Sequence, residues 1–185
     1  MEEVVLVVQM SDASDTRSTV HSDLAISVRR ALPADAQTVA ELVNRAYAIE
    51  AFFVDGDRTS AAEIHELMER GHFIVLEHSG GLAAAVFMDT TGYLGMLSVD
   101  PEFQKHGLGT RLVRIVEALC EAVGCSAVTL RIINLREELA RWYRALGYVE
   151  VGTSPYEHRP VKQACHFVEM RKSLRPVTSQ SAAAA

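Results

Sequence analysis

The sequence predicts a single α/β domain of the α+β kind, with a mixed, mostly antiparallel sheet flanked by helices. Three observations point there. Phe73-Ile74-Val75-Leu76, the turn Ser79-Gly80-Gly81, the apolar run 82–88, Thr90-Thr91-Gly92 and the run 93–99 read as an antiparallel meander. A long amphipathic stretch with Leu112, Val113, Val116, Leu119, Cys120 and Val123 on one face then separates that meander from Ala127-Val128-Thr129-Leu130-Arg131-Ile132. A helix between two strands makes them parallel neighbours, so the sheet is mixed. The length of 185 residues suits one core rather than two.

In chain order, residues 1–24 hold a short apolar run and the polar segment Ser11-Asp12-Ala13-Ser14-Asp15-Thr16, and are expected to be a flexible extension. The domain proper is expected over 25–174. Ile26-Ser27-Val28-Arg29 alternates as a strand does, and Pro33-Ala34-Asp35 opens a helix whose buried face is Val39, Leu42, Val43, Ala46 and Tyr47. Asp55-Gly56-Asp57 lacks the further ligands of a metal loop and reads as a solvated turn. Ser60-Ala61-Ala62-Glu63 has the form of a capping box, before a second helix ended by Gly71. After the central strand, Asn134-Leu135-Arg136-Glu137 has the same form and starts a helix with Leu135, Leu139, Trp142 and Leu146 at core spacing. Gly147 caps it, Tyr148-Val149-Glu150-Val151 is a strand, 156–161 a loop and 164–170 the last strand. The tail 175–185 is expected to be disordered.

The chemistry concentrates at Asp100-Pro101-Glu102-Phe103-Gln104-Lys105-His106-Gly107-Leu108-Gly109-Thr110, where a strand ends, a glycine-rich loop follows and the long helix begins. First-turn amides of a helix lack intrahelical partners and carry partial positive charge, so a phosphate is a natural occupant. A Walker loop would need Lys between Gly109 and Thr110, and the dinucleotide fingerprint would need a small residue where Leu112 stands.

What remains resembles motif A of the GNAT N-acetyltransferase family, here Val99, Pro101 and Gln104-Lys105-His106-Gly107-Leu108-Gly109. A second element, Trp142-Tyr143-Arg144-Ala145-Leu146-Gly147-Tyr148, is similar to that family's Leu-Tyr-x-x-x-Gly-Phe. Together they cover roughly residues 92–152. The resemblance implies a sheet whose two central parallel strands splay apart, and acetyl-CoA as cosubstrate. It implies that the cofactor is held by Leu97, Ser98 and Val99 on the strand, by Gln104, Lys105, His106, Gly107, Leu108, Gly109 and Thr110 on the loop, and by Asn134. Tyr143 becomes the candidate general acid for the leaving thiolate; the plainer reading packs it beside Leu139 and Leu146. Two departures stand out. Asn134 lies two residues further from the tyrosine than is usual in the family, and N-capping explains it equally well. Where many members carry a Glu on the strand before the loop, this chain has Gly95, so Glu50, His158 and His166 are the candidate bases.

The implied reaction is acetyl transfer to a primary amine of a small molecule or peptide; the alternative is a catalytically idle acyl-CoA-binding module. The front helices would form the acceptor wall, with Tyr47, Phe52 and Phe53 as candidate lining. Arg114, Arg136, Arg141 and Arg144 are candidates for phosphate pairing. A homodimer through the late strands is a further implication of the family.

Composition limits the rest. The net charge is −6 with basic residues scattered rather than blocked, which speaks against a nucleic-acid surface and mildly suits a cationic amine. Cys120, Cys125 and Cys165 are an odd number without a CxxC pair and read as free thiols, and the His spacing predicts no metal site. No apolar run is long enough to span a bilayer and no leader pattern is apparent, so the expected location is cytoplasmic.

Overall fold

The computed structural model describes residues 25–174. The extension expected over 1–24 and the tail expected over 175–185 lie outside the described residues. Seven strands and four α-helices follow one another as β1 (Ile26–Arg30), α1 (Ala36–Tyr47), α2 (Ala61–Arg70), β2 (Gly71–His78), β3 (Gly81–Asp89), β4 (Leu94–Val99), α3 (Leu108–Ala122), β5 (Ala127–Ile133), α4 (Glu137–Ala145), β6 (Val149–Pro155) and β7 (His166–Ser173). The strands form an antiparallel sheet β1-β2-β3-β4 and a second one β5-β7-β6. No helix among the described residues is long and apolar enough to cross a membrane.

Both faces of the first sheet are covered, which is why β2 and β3 read as nearly unbroken apolar runs. On one face Phe73 and Val75 of β2 meet Val39, Leu42 and Val43 of α1 and Ile64 of α2. On the other, Ile74 and Leu76 meet Leu112, Val113 and Val116 of α3, together with Leu130 of β5 and Met170 of β7. Side chains alternate across a strand, so consecutive residues of β2 serve two different cores.

The acceptor-side helices are fastened by short polar bonds. Ser60 Oγ accepts from Glu63 N at 3.2 Å, and Glu63 Oε2 accepts from Ser60 N at 2.9 Å, completing the expected capping box. Asn44 of α1 exchanges two bonds with the Thr59 main chain, at 2.9 and 3.0 Å, which locks the start of α2 to α1. The Asn134 expectation fails. Helix α4 begins at Glu137 with Arg136 as its N-cap and no side-chain cap, because Asn134 Oδ1 instead accepts from His166 N at 2.8 Å. Asn134 ties β5 to the start of β7.

Candidate active site

The two sheets are joined at one point. Thr129 N donates to Gly92 O at 2.9 Å, and Tyr93 and Thr129 form a single parallel bridge. Gly92 has φ +87°, and a Cβ there would stand 2.4 Å from the Ala127 carbonyl oxygen, so only glycine permits this approach. Beyond it β4 and β5 part, the expected splay of two parallel strands. Within β4 an extra residue opposes β3 between Gly95 and Ser98, where Met96 has φ +50°. Bulges of this kind re-aim main-chain groups. The gap holds a cleft of about 470 Å³, lined by Gly95, Met96, Leu97 and Val99 on one side and residues 130–133 on the other.

At one end of the cleft lies the glycine-rich loop. Asp100 Oδ1 accepts from Glu102 N at 3.1 Å, and Asp100 Oδ2 takes Arg45 Nε and Nη2 at 3.0 and 2.8 Å, which holds the turn after β4 against α1. Lys105 (φ +67°) and Gly107 (φ +76°) both enter the left-handed region, and Gly107 is the N-cap of α3 with no side-chain cap. The first helical bond there is Arg111 N to Gly107 O, at 3.0 Å, leaving the amides of Leu108, Gly109 and Thr110 without an intrahelical acceptor. A Cβ on Gly109 would meet the Trp142 ring at 3.6 Å and Val99 at 3.7 Å, so α4 packs close against this first turn.

Tyr143 is the one fully buried residue of α4, 4% exposed. Its ring packs edge-on against Trp142 and Tyr148, with centroids 4.6 and 5.5 Å apart, while its hydroxyl has no protein partner among the described residues and the side chain lines the cleft. Burial drives its pKa far above the phenol value, with Tyr47 and Tyr93 adding to the rise, so it stays protonated at neutral pH.

The opposite end is built from the segment after α1 and the loop between β6 and β7. Val54 and Val161 pair across it, Lys162 N donates to Phe53 O at 2.8 Å, and Arg159 donates to the Arg58 carbonyl. Phe53, Val54, Ile133 and Phe167 form a small core beneath. Glu50 projects into the cleft although only 7% exposed, and it meets Arg136 Nη1 at 3.4 Å. Burial raises its pKa; Arg58, Arg136 and Arg159 pull the other way without cancelling the rise.

Residues 39–174 match the acetyltransferase (GNAT) domain family, well over half of the chain. The chain belongs to the GNAT acetyltransferase family. A curated relative, an amino-acid acetyltransferase of Azotobacter vinelandii, is 29% identical over 115 residues, which are 58% of this chain. The chain spans 25% of that relative's length. Among solved structures, the ribosomal-protein-S18-alanine N-acetyltransferase of Escherichia coli superposes with a TM-score of 0.71 at 18% identity, covering 84% of this chain and 97% of that one. A phosphinothricin acetyltransferase of Sinorhizobium meliloti, in complex with acetyl-CoA, gives 0.64 at 16% identity, covering 83% and 94%. These two likenesses concern the fold.

Of the residues that the GNAT resemblance singles out, the cleft brings together Leu97, Val99, Gln104, Lys105, Gly107, Leu108, Gly109, Thr110 and Tyr143. Ser98 is buried, with its hydroxyl on Met96 O at 3.0 Å; His106 is exposed away from the lining; Asn134 lines a separate hollow with Glu137, Arg141 and Arg144. Gln104 Nε2 turns back to Val99 O at 3.4 Å. At Gly95, a Cβ would lie 2.9 Å from the Tyr93 ring, so that ring fills the space in which a Glu side chain would start. Of the three candidate bases only Glu50 lines the cleft. Phe53 is core, whereas Tyr47 does line the cleft. Sequence reasoning missed Arg58 and Arg131, which also line it. Arg131 had a signal, a lone charge inside the apolar run of β5; Arg58, in a loop, had none.

Proposed function

We propose that residues 25–174 form a domain that transfers the acetyl group of acetyl-CoA to a primary amine of a small molecule or peptide by direct attack. The observation that carries the reading is one continuous cleft lined by first-turn amides and a Tyr143 hydroxyl that have no hydrogen-bond acceptor or partner among the described residues, and by the buried Glu50 carboxylate. The chain's groups fit the cosubstrate. Gly107 holds the left-handed turn and Gly109 offers no side chain, so main-chain donors at 108–110 remain open to a pyrophosphate.

When bound, acetyl-CoA supplies an activated acetyl group with a thiolate as leaving group. Amides of Leu108, Gly109 and Thr110 would hold the diphosphate through aligned dipoles, and the bulged part of β4 at Met96 and Leu97 lines the cleft where its main-chain groups would meet the acyl arm. Tyr143 holds a proton at its hydroxyl, which would pass to the sulfur as the C–S bond breaks, and its oxygen would be reprotonated by the second proton of the amine nitrogen once that nitrogen has formed the C–N bond. Glu50, a carboxylate made more basic by burial, accepts the proton of the incoming ammonium, replacing the carboxylate that Gly95 lacks.

A thiol-release assay of the purified full chain with acetyl-CoA and a panel of primary amines tests this. Amine-dependent release of coenzyme A is expected. Tight binding of acetyl-CoA with no thiol release for any amine would instead favour an idle acyl-CoA-binding module.

A further inference from the structure

We propose that the acceptor is a small amine bearing a carboxylate near its nitrogen, as in a free α-amino acid, and that Arg58 and Arg131 bind that carboxylate. The inference rests on the transfer reading above and assigns its acceptor class. Three guanidinium groups line the cleft, those of Arg58, Arg131 and Arg136, against one neighbouring carboxylate, Glu50. Arg136 is already engaged by Glu50 and Glu138. Arg58 and Arg131 form no ion pair among the described residues, although the whole chain carries a net charge of −6. The local charge is therefore opposite in sign to that of the molecule, and it disfavours a polyamine.

Both guanidinium groups are held by aromatic faces. Arg58 Cζ lies 5.3 Å from the centre of the Tyr47 ring, and Arg131 Cζ lies 4.9 Å from Phe167 and 5.8 Å from Tyr93. Contact through the face fixes a planar fork and leaves its N–H edge unsatisfied, which matches the planar, two-oxygen edge of a carboxylate. Their field reaches neighbouring groups: His158 is held below the usual imidazole value first by desolvation and then by Arg58, Arg131 and Arg159. Arg58 acts on both Glu50 and His158, and Arg131 acts on the same His158, so within the one cleft a single small molecule can set its amine nitrogen toward Glu50 and its carboxylate toward the arginines. The Val54–Val161 pairing and the Arg159 bond to Arg58 O stitch the two acceptor walls together, which suits a small occupant better than an extended peptide.

The test compares initial rates of thiol release by the full chain on free α-amino acids, on their carboxamides, and on short peptides carrying an acidic residue after the N-terminal one. A kcat/KM for at least one amino acid about tenfold or more above its own amide is expected, and about the same margin above the peptides. Arg58→Gln and Arg131→Gln should each lower kcat/KM for the amino acid by about tenfold more than kcat/KM for its amide, with the acid-specific part of the loss appearing in KM. Amides or peptides turned over as well as free amino acids would overturn the assignment and leave acetyl transfer standing, as would variants that weaken amide and acid alike. Thiol release with no amine at all, despite acetyl-CoA binding measured by calorimetry, would overturn both this inference and the transfer reading.

Discussion

Replacing Tyr143 by Phe removes one oxygen and nothing else, and the position of that oxygen sets the size of the effect. The ring is wedged edge-on between Trp142 and Tyr148 at 4.6 and 5.5 Å, contacts that Phe retains. The hydroxyl makes no protein hydrogen bond among the described residues, so its loss strands no donor or acceptor, and folding stability should change by less than about 0.5 kcal/mol. If the same hydroxyl protonates the leaving thiolate, kcat should fall by about 10²- to 10⁴-fold, which is about 2.7–5.4 kcal/mol of barrier. The dissociation constant for acetyl-CoA should stay within about threefold, because the lost contribution is made in the transition state. Saturation kinetics of thiol release, calorimetry and a thermal melt on the same preparation separate the three quantities. Unchanged kcat, or a loss of cofactor affinity that accounts for the whole fall in rate, would refute the assignment and return Tyr143 to a packing role.

Gly107→Ala meets nothing within 4 Å of the new Cβ but must hold φ +76°, so it should cost about 1–2 kcal/mol and lower the melting temperature by a few degrees, with Asn milder than Ala. Glu50→Gln should lower kcat/KM at neutral pH and abolish its acid limb: the wild-type rate falls as pH drops through the raised Glu50 pKa, and a pH–rate profile of the variant should be flat there. Asp35 is held below the usual carboxylate value, chiefly by its hydrogen bond to Arg29. A depressed folded pKa gives stability that is present above the unfolded value of about 3.9 and lost as pH falls through the folded one. Unfolding free energies of Asp35→Asn from urea titrations should therefore fall less than those of the wild type between about pH 5 and pH 2, by at most about 1 kcal/mol.

Much of this molecule is legible before any coordinates. The three-four rhythm of Val39, Leu42 and Val43, the Ser60–Glu63 box and the glycine-rich junction at 104–110 are local signals, and each becomes the element it implies. The parallel relation of β4 and β5 also follows, because a helix of the length of α3 must cross over between them. What escapes the sequence is set by contacts between distant segments. Asn134 has the pattern of a helix cap yet spends its side chain on His166, 32 positions later. Within α4 the apolar spacing names Leu139 and Leu146, but the most buried side chain is Tyr143, because Tyr148 and Trp142 close around it. The net charge of −6 gives no hint of two arginines in the cleft that form no ion pair among the described residues, since a sum over the surface says nothing of one cavity. The empty place of the strand carboxylate at Gly95 makes sense only once the Tyr93 ring is seen occupying it.

Calorimetric titration of acetyl-CoA into the wild-type chain and into Gly109→Leu probes the grip of the α3 first turn directly. Gly109 lines the cleft and its Cβ position faces Trp142 at 3.6 Å and Val99 at 3.7 Å, so a leucine side chain crowds the first turn of α3 beside the amides that would hold the diphosphate. Saturable heat with the wild type and an affinity weakened by about tenfold or more in the variant, whose fold is retained by circular dichroism, is the expected result. Absence of binding to the wild type, or equal affinity in both proteins, would contradict it.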